Sequence, residues 1–562
     1  MGGGARGLFT LALALALALV PRLAAPAVAP ASGSVVVYGS TPAGVVAAVA
    51  AARAGAAVTL LDPAARVGGL CSGGLGHTDV GDAFAIGGLA REFFVRNARR
   101  YNASATAPLY FLEPHVAEGV FLDMLGHAGV RRVRVARVAA VAFAPGAPRI
   151  ARVTTGDGDA FAADVFIDAS YEGDLVTRAS AANPALAYTF GREARAAYGE
   201  AWAGRREPFG RPFDFRPFSP LDAAGQLLPL MTTRISAPLG AGDAHVQGYN
   251  FRLCGVRGRA SANFRPMPDP APGTYDAAQF EALRRFAALP GIKSVNDFIG
   301  PGEVPNGKLD INNGCLISTD VTGAQWAFPN ASYAARDALV AAHKAYTIAF
   351  FYTLRTDAAI PASIRESAAD LGLCADEFAS NDGFPEQLYV REAVRLVGDR
   401  VLIQSDLWPP TDFGNTSIGL GSYAADGHYA TRGPCIAVAG GARCDMVTSE
   451  ADLAAAAANG TLWTGGEGYV GSTSAFALYQ IPAWALWGAR AGAENLLSPT
   501  APSASHVTFA SLRVEPTYMV MGHAAGDIAA LAAASGGAVM DVDVGALHAR
   551  LKAEGAVLCK EC

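Results

Sequence analysis

Residues 34–62 open with Ser34-Val-Val-Val-Tyr38 and continue through Gly39-Ser-Thr-Pro-Ala-Gly44. An Ala/Val-rich run to Ala54 follows, then Gly55, and the stretch closes on Ala57-Val-Thr-Leu-Leu-Asp62. The first five residues are mostly branched and apolar, which suits a strand buried on both faces. A turn of small residues leads into a long apolar helix, Gly55 is placed to end it, and a second strand finishes on an acid. Strand, glycine turn, helix, strand and acid within about thirty residues is the order of a dinucleotide-binding βαβ unit. Gly39 permits the tight turn and Gly44 lets helix and strand pack closely. Ser40, Thr41, Pro42 and Ala43 form the helix start, whose free N–H groups suit a pyrophosphate. Asp62 is placed to accept hydrogen bonds from the adenosine ribose. The departure is Thr41, which stands where G-x-G-x-x-G has its middle glycine. Read alone, the turn also suits an ordinary α/β connection.

The residues that follow favour FAD over a nicotinamide. Arg66-Val-Gly-Gly69-Leu70-Cys71-Ser72-Gly73-Gly74-Leu-Gly76 is a glycine-rich stretch that lets backbone approach a flat ring system. Residues 133–143, 149–155 and 160–161 then predict an antiparallel meander, with turns at Pro145-Gly146 and Gly156-Asp157-Gly158. It leads into a strand ending on Asp168-Ala169-Ser170. Near the C-terminus, Gly522, Ala525 and Gly526 suit a helix start directed at the flavin's pyrimidine edge, where reduction places negative charge. An Ala-rich packing helix is the other reading of that segment. No second glycine fingerprint of similar quality occurs, which argues against a separate NAD(P)H domain.

The 562 residues carry a formal charge of -6 and 51% hydrophobic residues, enough for a large core and too long for one ordinary domain. No basic run or aromatic-interleaved Lys/Arg stripe occurs, so nucleic acid is excluded as a partner. Residues 1–31 read as a secretory signal: Arg6, an apolar run over 8–20, and small residues before Ala31. That run is short for a membrane span, which needs roughly 20 residues. A secreted or lumenal location follows as the expectation, with no stable membrane span. Eight cysteines then invite disulfides. Cys435 with Cys444 is the better pair, and Cys559 with Cys562 is a bridge, a metal half-site or simply tail. Asn102, Asn330, Asn415 and Asn459 head N-x-S/T sequons compatible with glycosylation, although such sequons also arise by chance.

With Tyr38-Gly-Ser-Thr-Pro-Ala-Gly44, several later motifs carry a resemblance. They include Gly68-Gly-Leu-Cys-Ser-Gly-Gly-Leu-Gly-His-Thr-Asp79, Phe166-Ile-Asp-Ala-Ser-Tyr-Glu-Gly-Asp174 and Gly191-Arg-Glu193. Val246-Gln-Gly-Tyr-Asn-Phe-Arg-Leu-Cys254, Leu388-Tyr-Val-Arg-Glu392, Ser503-Ala-Ser-His506 and Arg513-Val-Glu-Pro516 follow in order. The chain resembles the FAD_oxidored family of FAD-dependent oxidoreductases, whose bacterial members often bear the label xanthan lyase. The family's pattern tolerates Thr at position 41, but it usually has Asp-Ser-His where Asp426-Gly-His428 stands. Its fold hosts many chemistries, so the resemblance brings no substrate.

The expected architecture is α/β: a two-dinucleotide-binding, Rossmann-like FAD domain of the glutathione-reductase type, with an inserted α+β substrate domain. The divisions are 34–180 for the first FAD segment, 181–502 for the substrate domain, 503–537 for the closing segment and 538–562 for a tail with a short helix over 544–553. The partners are a small organic substrate and an electron acceptor, oxygen or another. The expected reaction takes a hydride from a CH–OH or CH–CH group, carbohydrate chemistry being suggested only by the family label. A fumarate-reductase-like C=C reductase, a non-catalytic flavin carrier and a lyase are the alternatives. His506 is the first choice as proton acceptor and His428 the second. Arg513 and Glu515 pair with each other or grip flavin or substrate. Tyr389 and Arg391, alternating on a predicted strand, share one face. Asp310, Asn312 and Asn313 suggest a polar loop for hydroxyl groups and fall short as calcium ligands, so no metal site is expected. Cys71 and His77 raise the further idea of a covalently attached flavin.

Overall fold

The computed structural model describes residues 33–208, 214–438, 441–471 and 478–561. The expected leader and Cys562 lie outside them. The opening unit folds as its sequence dictates: β1 (Ser34–Tyr38), α1 (Pro42–Arg53) and β2 (Ala57–Asp62). Helix α1 is apolar on every side, so it is buried through most of its length. β1 pairs in parallel with β2 and with β4 (Val165–Asp168), while β3 (Arg131–Arg134) extends the sheet beyond β2. On the other edge lies β5 (Leu496–Leu497), giving the order β5-β4-β1-β2-β3. The chain therefore returns to this sheet before residue 503, the boundary expected from sequence.

The stretch expected as the meander's first strand divides in two. Val133 belongs to β3 in the parallel sheet, and Val138–Phe143 pairs with Ile150–Thr155, which pairs with Ala160–Phe161. Helix α2 (Glu515–Ser535) lies against α1, and α3 (Val544–Ala553) follows it. Small residues make that contact: a Cβ on Gly522 would lie 2.4 Å from the Ala43 carbonyl oxygen, and one on Gly526 2.3 Å from that of Ala47.

Among the described residues, the intervening chain supplies, besides two two-stranded pairings, a five-stranded and a four-stranded sheet. Phe264–Pro266, Leu371–Cys374, Leu253–Arg257, Lys308–Asn313 and Ile299–Val304 form one, and the Cys254–Cys374 disulfide joins two of its strands. Cys444–Met446, Thr431–Ala437, Leu462–Glu467 and Phe215–Arg216 form the other, with the expected Cys435–Cys444 disulfide.

Candidate active site

Thr41 explains its own departure from the glycine pattern. Its hydroxyl donates to the Ala169 carbonyl at 2.7 Å and accepts from the Gly44 N–H at 3.2 Å. The side chain thus caps α1 and ties it to the end of β4. Gly39 has φ +99°, and a Cβ there would lie 2.9 Å from Ala169 backbone; one on Gly44 would lie 2.0 Å from the Gly39 carbonyl oxygen. The turn admits no larger residue at either place. Asp168 holds the facing turn, accepting from the Ser170 N–H and hydroxyl and from Val176 N–H. Burial pushes its carboxyl up to about 6.

Beside this turn lies a cavity of about 350 Å³ whose lining includes Tyr38, Arg66, Gly69, Gly73, Ser170 and Leu388. Arg66 reaches it held by Glu118 and Glu386. The glycine cradle, the α1 N-terminus and the adjoining cavity together fit a dinucleotide cofactor. Leu70, Cys71 and Ser72 are buried behind the lining, and Gly74 packs against the Arg252 backbone with φ +114°.

Asp62 and the segment Gly522–Gly526 sit otherwise than their sequence pattern suggests. Asp62 is fully buried, and its carboxylate accepts from Ser40, from the Ala64 N–H and from Arg132. Those partners use it to brace the turn. Gly522, Ala525 and Gly526 are not at a helix start, because α2 begins at Glu515 with Pro516 in its first turn. They lie in the α1–α2 interface, where closeness of the two backbones demands small residues.

A second cavity, of about 260 Å³, lies across residues 388–391. Leu388 and Val390 line the first cavity, Tyr389 and Arg391 the second. The expected common face of Tyr389 and Arg391 is thus present without the expected strand: only an isolated bridge joins Tyr389 to Asn250. Three guanidiniums surround the Tyr389 ring, Arg391 at 4.6 Å and Arg252 and Arg513 at 5.9 Å. Arg513 donates to the Tyr389 hydroxyl at 3.1 Å and to the Asp426 carboxylate at 3.2 Å. It does not pair with Glu515, which faces Tyr171 instead.

His428 lines this cavity. Its Nδ1 is 2.6 Å from Asp320 Oδ2, and Arg391 donates to Asp320 Oδ1 at 2.9 Å. Burial pushes the Asp320 carboxyl up, but Arg391 and His428 outweigh it and hold it below the usual carboxylate range. Asp426 is likewise held low by His428 and Arg513 despite burial. Asp79, bonded by the Tyr423 hydroxyl at 2.8 Å, is shifted upward by burial and by Asp426. Asn312 and Asn313 line the cavity from a strand rather than a loop. Asp310 on the same strand is spent on Arg252 and the His77 N–H.

His506 lies elsewhere. It is 1% exposed, its Nδ1 is 2.9 Å from Glu392, and it lines neither cavity. Glu392 also binds Arg395, making a buried ionic cluster that positions the start of the helix His506–Leu512. Sequence reasoning misses Asp320, which sits in no motif, and Arg252 and Asp79, which lie within Val246–Cys254 and Gly68–Asp79 with no local signal of their own.

Among the described residues, Glu113, His115 and Glu377 form a group with metal-ligand spacing. Lys308 Nζ already lies 2.6 Å from Glu113 and 2.9 Å from Glu377, so an ammonium supplies the cation there.

The family described as FAD dependent oxidoreductase matches residues 34–551. No curated protein matches the chain. Among solved structures, THI4 of Thermovibrio ammonificans is 15% identical with a TM-score of 0.20, over 27% of this chain and 64% of that one. GidA of Aquifex aeolicus is 18% identical, TM-score 0.18, over 24% of each chain. Thioredoxin reductase from Streptococcus pyogenes is 18% identical, TM-score 0.16, over 25% of this chain and 36% of that one. The chain thus spans less than two thirds of each of these proteins.

Proposed function

Because the chain belongs to the FAD-dependent oxidoreductase family, we propose that it oxidises a hydroxyl-bearing carbon of a small polar molecule held in the second cavity. Bound FAD supplies the hydride acceptor, and the protein supplies placement, a base and charge. The residues that would hold it are the turn over Gly39, Thr41 and Gly44, the glycine stretch from Gly69 to Gly74, and Ser170. His428 takes the hydroxyl proton: Asp320 occupies Nδ1, and Nε2, 3.8 Å from the Asp426 carboxylate, is the atom for exchange. The substrate loses a hydride and a proton, and an electron acceptor, oxygen or another, completes the cycle.

The single observation that carries this reading is the His428–Asp320 pair in a cavity that shares the segment 388–391 with the cavity lined by Gly69 and Gly73. Its lining of Asp79, Asn312, Asn313, Tyr423, Tyr469 and arginines supports a hydroxyl-rich, carbohydrate-like substrate. The test is anaerobic mixing with sugars, polyols and sugar acids while following the visible absorbance of the flavin. Bleaching by a hydroxylated compound is expected. Silence from all of them, with reoxidation of the reduced enzyme by an activated alkene, would move the assignment to C=C reduction.

We place the protein on a secretory route. The asparagines of all four sequons are exposed, and the bridges Cys254–Cys374 and Cys435–Cys444 lie among the described residues, which supports that location. Glycan analysis of protein from a eukaryotic secretory host tests it.

A further inference from the structure

Glu515 is the first residue of α2 and is 2% exposed. Its Oε1 accepts from the Tyr171 hydroxyl at 2.6 Å, and its Oε2 has no hydrogen-bond partner. Tyr171 in turn accepts from the Leu70 N–H at 3.0 Å, so its one proton is spent on Glu515. The titratable groups facing this carboxyl are Tyr171, Cys71 and Tyr518, all of which are neutral near pH 7. Arg513, two residues earlier, directs its guanidinium to Tyr389 and Asp426 instead. With no cation beside it, burial pushes Glu515 up to about 8.

In its acid form, then, the carboxyl carries a donor that no acceptor of the protein meets. A buried unmet donor is costly, which favours an acceptor from a ligand. The surroundings identify the ligand. A Cβ on Gly69 would lie 2.5 Å from the Tyr171 hydroxyl and 3.0 Å from Pro42 Cδ. The carboxyl therefore sits where the α1 start, the glycine stretch and the α2 start converge, and the first two belong to the cofactor's surroundings.

We propose that Glu515 binds FAD in its acid form, donating its proton as a hydrogen bond to the cofactor, so that FAD binding is linked to retention of one proton. The proposal rests on FAD occupying this region and not on the substrate assignment. An ionised Glu515 would offer two acceptors to a cofactor rich in acceptors and anionic at its diphosphate. The linkage sign follows: binding raises the carboxyl's proton affinity, so affinity for FAD falls as pH rises through the value of the free protein.

The test is release of FAD from diluted holoenzyme, read by the fluorescence of the freed flavin. The expected Kd is constant below about pH 7 and rises up to about tenfold per unit above about pH 8. Glu515→Gln keeps a donor that does not titrate, so its Kd is expected to be flat over the same range and within about threefold of the wild-type acidic value. An alkaline rise that persists in E515Q, or a flat wild-type profile, overturns the proposal. Should E515Q not fold, proton uptake on mixing wild-type apoprotein with FAD in weak buffer decides. Uptake is expected at about pH 8.5 and none at about pH 6; none at either overturns it. Protein that binds no FAD at any pH overturns the cofactor placement as well.

Discussion

His428 Nδ1 lies 2.6 Å from one oxygen of Asp320, whose other oxygen accepts from Arg391 at 2.9 Å. One buried carboxylate thus orients the candidate base and neutralises a guanidinium in the same cavity wall. His428→Asn is expected to lower kcat/KM by about 10²–10⁴ while leaving flavin content and Tm near wild type. Asp320→Asn is expected to lower both activity and stability, because it leaves Arg391 buried without its anion at a cost of about 3–5 kcal/mol. Steady-state kinetics with thermal melts separate the two variants. An H428N enzyme of undiminished turnover would remove His428 from the chemistry.

The nucleotide turn gives a prediction that needs no substrate. Gly44→Ala sets a Cβ 2.0 Å from the Gly39 carbonyl oxygen, a backbone atom that cannot swing aside. Loss of bound flavin and a lower Tm are expected. Thr41→Val keeps the shape but removes the cap and the bond to Ala169, at a cost of about 1 kcal/mol. Restoring the glycine pattern with Thr41→Gly is expected to destabilise as well, since both bonds go with the side chain. Flavin-to-protein absorbance ratios and melting curves check all three; a more stable T41G would show the hydroxyl to be idle.

Local pattern made the opening unit, the short meander and the helix at Val544–Ala553 legible, because neighbours in sequence decide each. The site was legible only in part. Tyr389 and Arg391 share a cavity because alternation in an extended segment survives without a sheet. Asp320 was hidden because its partners are 71 and 108 residues away, and nothing near it marks a buried acid. His506 drew attention as a histidine before a cofactor helix, yet its partner Glu392 lies 114 residues away and buries it in an ion cluster. Gly522 and Gly526 suit a cofactor contact and a helix interface equally, since small residues serve close approach of any kind and sequence does not say to what.

Disulfide loops of unequal length predict unequal effects. Cys254–Cys374 closes a separation of 120 residues and Cys435–Cys444 one of 9. In the chain-entropy account, stabilisation grows with the loop closed, so the paired substitution C254S/C374S is expected to cost about 3–5 kcal/mol and C435S/C444S less. Denaturant titrations of the two double variants measure this. The longer bridge also begins two residues from Arg252 in the cavity wall, so its loss is expected to raise KM. Equal stability of both variants would show that strain or residual unfolded structure outweighs loop length here.

The environment of Cys71 predicts flavin held without a covalent bond. Attachment through sulfur needs an accessible thiolate. Cys71 is fully buried, and burial, with Glu515 adding to it, keeps the thiol well above its ordinary value. His77 is exposed, stacks 4.9 Å from Phe111 and lines neither cavity, so its ring is no better placed. Acid precipitation is therefore expected to leave all the flavin in the supernatant, with a non-fluorescent protein band on a denaturing gel. Cys71→Ser is expected to keep its flavin. A fluorescent band that disappears in C71S would reverse the assignment, and would require the thiol to be deprotonated by the cofactor itself.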